Sequence, residues 1–145
     1  MKVFLGADHR GFVQKAKLLE WLAARQIDHQ DLGTTTPTTE DDYNTFAIAV
    51  AKAVLESPDH FGVLLCGSGI GMSIQANRFK GIRAALCHHP DTARSTREHN
   101  AANILCLAAD QTTTDPTAIL DAFLSTQPLN LDRYIRRNQI LDEAT

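Results

Sequence analysis

The stretch Gly62-Val63-Leu64-Leu65-Cys66-Gly67-Ser68-Gly69-Ile70-Gly71-Met72-Ser73 constrains the chain more than any other. Its apolar run is too short to make a helix and feeds straight into alternating glycines, a pattern that predicts strand, tight loop, then helix. Gly67, Gly69 and Gly71 let the backbone approach a ligand closely, and the amides that open the following helix make an anion-friendly end. Cys66 stands at the mouth of the loop. A thiol beside helix amides is expected to fall from about 8.5 toward neutrality, which suits proton transfer or nucleophilic attack. No Gly-Lys-Ser/Thr follows, and the G-x-G-x-G spacing is not the G-x-G-x-x-G of dinucleotide binders. A cysteine phosphatase loop would want an arginine about where Met72 stands. The remaining alternative is a tight turn beside a buried, inert cysteine.

The other segments repeat the alternation of strand and helix. Strands are expected over 2–7, 27–32, 62–66, 81–87 and 102–108. Helices are expected over 12–24, 45–55, from about 71, from Pro90 to near Glu98, from Asp115 or Thr117 to about 126, and over 131–143. In the first helix Val13, Ala16, Leu19, Trp21 and Leu22 define the expected apolar face, and residues 34–39 read as a Thr/Pro-rich surface loop. This order calls for one α/β domain over 1–145: a doubly wound, Rossmann-like five-stranded parallel sheet with helices on both faces and a C-terminal helix. Ligands of such sheets bind beyond the carboxyl ends of the strands, where Asp8-His9, Cys66 to Gly71 and Cys87-His88-His89 are expected to cluster.

His99-Asn100 precedes the fifth strand, so it belongs at the opposite end of the sheet from Cys66. It is either a polar cap or a contribution to a neighbouring subunit. Arg133 and Arg137 are spaced i,i+4 on the last helix, where they form a solvated face or grip a phosphate together. A net charge of -3 argues against nucleic acid or an anionic membrane as the main partner. No segment has the apolar length of a membrane span, and a chain opening on a strand rather than a leader points to the cytoplasm. Cys66, Cys87 and Cys106 have no metal-type spacing, and the last two read as core residues.

Taken together, Gly6-Ala7-Asp8-His9-Arg10-Gly11-Phe12, Asp42-Tyr43, Cys66-Gly67-Ser68-Gly69-Ile70-Gly71, Ala76-Asn77-Arg78 with Gly81-Ile82-Arg83-Ala84-Ala85, and Arg97-Glu98-His99-Asn100 resemble the ribose-5-phosphate isomerase B family. That family also contains the galactose-6-phosphate isomerase subunits, and the resemblance covers nearly the whole chain. It implies an aldose-ketose isomerase, an intramolecular oxidoreductase without cofactor or metal, that works on a sugar phosphate through a cis-enediolate. By that resemblance Cys66 is the base that moves a proton between carbons 1 and 2, Ser68 assists it, and His99 opens the sugar ring. The amides of Gly67 to Gly71, with Gly69 between them, hold the enediolate oxygen. Asp8, His9 and Tyr43 contact the sugar, Asn100 supports the pocket, and Arg133 and Arg137 take the phosphate. The family's sites lie between subunits, which implies a homodimer with shared active sites, or a tetramer.

Three positions depart from the family pattern. Met72 replaces the loop glutamate of some members, Asn44 replaces a proline after the tyrosine, and Asp110 stands where an arginine used for phosphate is common. A carboxylate at 110 would repel a dianion unless it points away or Arg10 or Arg136 compensates. The alternatives to ribose 5-phosphate are therefore a hexose 6-phosphate of the allose or galactose type, a free sugar, or a non-catalytic sugar-phosphate-binding module.

Overall fold

The computed structural model describes residues 1–37, 41–111 and 114–144. Its elements run β1 (Lys2–Ala7), α1 (Phe12–Ala24), β2 (Asp28–Asp31), α2 (Tyr43–Leu55), β3 (His60–Cys66), α3 (Ile70–Ala76), β4 (Ala84–Leu86), α4 (Pro90–Asn100), β5 (Ile104–Ala108), α5 (Pro116–Ser125) and α6 (Asp132–Glu143). The five strands form one parallel sheet in the order β2-β1-β3-β5-β4. That order fixes where each helix lies. Right-handed crossovers that step one way across a sheet cover one face, and those that step the other way cover the opposite face. Accordingly α1 and α4 join α5 on one side, while α2 and α3 cover the other.

Side chains along each central strand alternate between these two layers. Val63 and Leu65 of β3 pack with Leu105 and Leu107 of β5 against α1, α4 and α5, whereas Leu64 and Cys66 face α2 and α3 with Ile104 and Cys106. Both faces of β3 and β5 are buried, which is why these strands read as unbroken apolar runs. Cys87 and Cys106 are core residues, as expected.

Several expected boundaries move. The fourth strand shrinks to Ala84–Leu86, and Asn77 and Asn103 capture the backbone at its N-terminal end. Asn77 bonds the Ala84 amide and carbonyl, and Asn103 bonds the Arg83 amide and the Gly81 carbonyl. Helix α4 runs on to Asn100, so His99 and Asn100 belong to its last turn, and Ala101 ends it in a left-handed conformation at φ 46°. The inward stripe of α1 is also different from the one expected. Lys15, Leu18 and Leu22 face the core, while Val13 is 78% exposed. Lys15 is buried because its Nζ donates to both carboxylate oxygens of Asp31 at 2.8 Å and to the Thr34 carbonyl at 2.7 Å. Thr34, expected in a surface loop, is buried beneath it. Thr38 and Thr39 of that loop lie outside the described residues.

Asp31→Ala leaves the Lys15 ammonium buried without its counter-charge and should lower the unfolding free energy by about 3 kcal/mol in urea titrations. Lys17→Ala on the same helix breaks only the exposed pair with Asp115 and should cost less than about 1 kcal/mol. Equal losses would mean that the Lys15 pair is not the tie between α1 and β2.

Candidate active site

Strands β1 and β3 lie side by side, but the crossovers leaving them run in opposite directions and on opposite faces. A parallel sheet opens a crevice at such a point, beyond the strands' carboxyl ends. The β1 loop and the glycine loop meet there. The Asp8 amide donates to the Leu65 carbonyl, and Asp8 Oδ1 accepts from the amides of Arg10 and Gly11 at 3.0 and 3.2 Å. Asp8 is thus buried and holds its own loop in shape.

The glycine loop is stitched to β5 as well. Cys66 and Gly67 carbonyls accept from the amides of Ala109 and Asp110 at 2.9 and 3.0 Å. Gly69 takes φ 73°, a conformation that only glycine adopts cheaply, and this turn aims its N–H back at Cys66 Sγ, 3.1 Å away. Ser68 Oγ accepts from the Ile70 amide at 3.2 Å. Among the hydrogen bonds of the described residues, none is donated by the amides of Ser68 or Gly71. Tyr43, the first residue of α2, lies over the first turn of α3 so closely that a Cβ on Gly71 would sit 2.6 Å from its Cζ. Cys66, Ser68, the three glycines, Asp8, His9 and Tyr43 therefore share this edge. Met72, where some isomerases carry an acid, is fully buried in the core. Asn44 donates to Gln75 Oε1 at 2.8 Å and so ties α2 to α3.

Sequence reasoning missed one acid that belongs here, Asp41. His9 Nδ1 lies 2.5 Å from Asp41 Oδ1, which also accepts from the His9 amide at 3.2 Å. Burial works against the charge of Asp41, but the hydrogen bonds from His9 outweigh it and hold the carboxyl below its ordinary value. Asp110 does not stand free to repel an anion. Its carboxylate is paired with the Arg10 guanidinium. The expected cluster with His88-His89 is not formed in this way, because β5 inserts between β3 and β4 and leaves β4 at the sheet's edge. His89 instead faces Thr114, and both histidines are exposed.

The remaining expected residues gather at the other edge. The His99 ring stacks on Tyr134 at 4.8 Å and 23°, and the Arg133 guanidinium lies 4.8 Å over the same Tyr134 ring. Asn138 donates to the His99 carbonyl, and Arg83 joins the Asn100 carbonyl to Asp142, which pins α6 to the end of α4. Asn100 and Arg137 are exposed beside them. Between the two groups lies the length of β5, about 13 Å at 3.3 Å per residue. Two cavities, of about 600 and 460 Å³, open among the described residues, and neither is lined by the glycine loop. No group of three acidic, histidine or cysteine side chains among the described residues is arranged to hold a metal ion, and none of their helices is long and apolar enough to cross a membrane.

A family model described as Ribose/Galactose Isomerase matches residues 3–141. The chain belongs to the ribose/galactose isomerase family. A ribose-5-phosphate isomerase B from Mycolicibacterium paratuberculosis is 39% identical to it, over 99% of this chain and 91% of the relative. The crystal structure of a ribose 5-phosphate isomerase from Thermotoga maritima has a TM-score of 0.91 at 43% identity, covering 98% of this chain and 97% of its own. A Mycoplasma genitalium ribose-5-phosphate isomerase B with bound ribulose 5-phosphate has a TM-score of 0.93 at 34% identity, covering 99% and 95%.

Within this family member burial acts on two of the three thiols. Burial pushes Cys87 up to about 11 and raises Cys106 further, so both are protonated at pH 8. Brief treatment with iodoacetamide at pH 8 should therefore label Cys66 first, as read by peptide mass spectrometry. Equal labelling of Cys87 or Cys106 in the folded protein would contradict this placement.

Proposed function

We propose that this chain is a ribose-5-phosphate isomerase that interconverts ribose 5-phosphate and ribulose 5-phosphate by proton transfer through a cis-enediolate. The observation that carries the reading is Cys66 at the foot of a glycine loop whose Gly69 N–H faces its sulfur, in a chain of this family. Ribose 5-phosphate is favoured over a hexose phosphate because relatives 34–43% identical across nearly the whole chain carry that name, one of them with ribulose 5-phosphate bound.

In this reading the open sugar lies across the glycine loop with its carbonyl oxygen toward the amides of Ser68 and Gly71. Cys66, as thiolate, takes the proton from carbon 2, and the electron pair moves through the C1–C2 bond onto the carbonyl oxygen. Donors placed where that charge develops stabilise the enediolate more than the ground state. Cys66 then returns the proton to carbon 1 while the Ser68 hydroxyl relays the proton between the two oxygens, which leaves the ketose. Asp8, His9 and Tyr43 hold the sugar hydroxyls. Only protons move, one between the carbons and one between the oxygens, so the chemistry calls for a base, a relay and an anion hole.

His99, Asn100, Arg133 and Arg137 enter from a second subunit. Their distance from Cys66 within one chain supports that arrangement, as does α6, which buries none of its side chains and exposes Ile135, Ile140 and Leu141, with Leu131 exposed at its N-cap. A homodimer with two-fold symmetry brings each edge to its counterpart twice. We place the enzyme in the cytoplasm, where a catalytic thiol stays reduced.

Cys66→Ala should lower kcat for ribose 5-phosphate by at least about a hundredfold with a modest change in KM. The same assay on allose 6-phosphate, galactose 6-phosphate and free ribose tests the substrate. A higher kcat/KM on a hexose phosphate would move the enzyme to the galactose branch of the family, and near-normal turnover by Cys66→Ala would remove the cysteine from the chemistry.

A further inference from the structure

The loops at the carboxyl edge of the sheet span 8–11, 32–42, 67–69, 87–89 and 109–115. In sequence they contain a single lysine or arginine, Arg10. Acids surround it: Asp8, Asp41 and Asp110 all stand at this edge. Lys15, the nearest cation on the following helix, is committed to Asp31 and the Thr34 carbonyl. A dianion on the glycine loop would therefore meet net negative charge from its own subunit unless Arg10 serves it.

The position of Arg10 suits that task. A Cβ built on Gly67 would lie 2.6 Å from Asp110 Oδ2 and 2.8 Å from Arg10 Nε, so the ion pair rests directly on the glycine that follows Cys66. The pair is anchored from both sides. The Arg10 amide donates to Asp8 Oδ1, and the Asp110 amide donates to the Gly67 carbonyl. Asp110 engages Nη2, while the described residues offer Nε and Nη1 no acceptor and the side chain is 56% exposed. A guanidinium has five N–H donors in a planar fork, so one carboxylate oxygen leaves an edge free for a phosphate.

We propose that Arg10 binds the substrate phosphate and that Asp110 is its positioning residue, holding the guanidinium over Gly67. The inference rests on the reading of the chain as a sugar-phosphate isomerase. Phosphate recognition is then divided: Arg133 and Arg137 contribute from the partner subunit, and Arg10 contributes from the subunit that supplies Cys66.

The test is a set of variants at the two positions, each first matched to wild type in melting temperature. Arg10→Ala should raise KM for ribose 5-phosphate about tenfold or more, with the loss falling on KM rather than kcat, and should raise the Ki of inorganic phosphate in parallel. Arg10→Ala/Asp110→Arg returns a guanidinium to the same place from the β5 side and should recover most of both constants. Arg10→Ala/Asp110→Ala should stay weak. An Arg10→Ala enzyme with KM and Ki within twofold of wild type would overturn the proposal. So would recovery by Arg10→Ala/Asp110→Ala, which would make Asp110 a repelling charge and Arg10 only its mask. Calorimetric titration with inorganic phosphate separates this inference from the functional reading. A wild-type protein that binds phosphate through Arg10 but fails to isomerise ribose 5-phosphate would remove the activity and leave the binding role.

Discussion

A parallel strand and the helix that returns from it end on opposite edges of a sheet, and every functional feature of this protein is distributed by that constraint. The carboxyl edge receives the loops after β1, β3 and β5, which are bonded to one another: Asp8 to Leu65, Ala109 to Cys66, Asp110 to Gly67. The last turn of α4 is delivered to the other edge, where Arg83, Asp142 and Asn138 lock α6 onto it. Neither group can drift toward the other without breaking the register of β3 on β5, which is buried on both faces. The proposed shared site in a symmetric pair would reunite them with the fold intact.

Electrostatics at the carboxyl edge follow from the same packing. Acids crowd there because they satisfy backbone amides in tight loops, as Asp8 does for Arg10 and Gly11, and because they fix neighbouring side chains, as Asp41 does for His9. An edge built this way is poor in positive charge. Its proposed phosphate ligands accordingly come from a loop residue held in place by an acid and from a helix of the other subunit.

Local pattern carried much of this into the sequence. The strand, glycine loop and helix around Cys66, the helix limits of α1, and the opposite placement of Cys66 and His99 were all legible, because they depend on short-range periodicity and on connectivity. What was not legible depends on long-range pairing. Strand order is set by which faces fit, and the insertion of β5 beside β3 brought Asp110 to Gly67 and left His88-His89 at the border. Lys15 misled the reading of α1, since a lysine on an inward stripe is recognisable only when its partner, sixteen residues on, is known. The pair His9 with Asp41 spans 32 residues, and no spacing rule announces it, whereas the family pattern offers Arg10 beside Arg136 as compensation for Asp110, 100 residues away, and the fold selects Arg10. The stacking of His99 on Tyr134 was likewise hidden, although both lie on helices read correctly in outline.

Subunit complementation tests the division of the site most directly. Cys66→Ala and His99→Ala proteins, each folded, dimeric and nearly inactive on the cyclic sugar phosphate, are mixed under conditions of proven subunit exchange. Random pairing makes about half of the dimers mixed, and each mixed dimer holds one intact site of two, so activity should return to about a quarter of the wild-type level. No recovery despite complete exchange would mean that Cys66 and His99 do not meet across subunits, and the two edges of the sheet would then have to be explained separately.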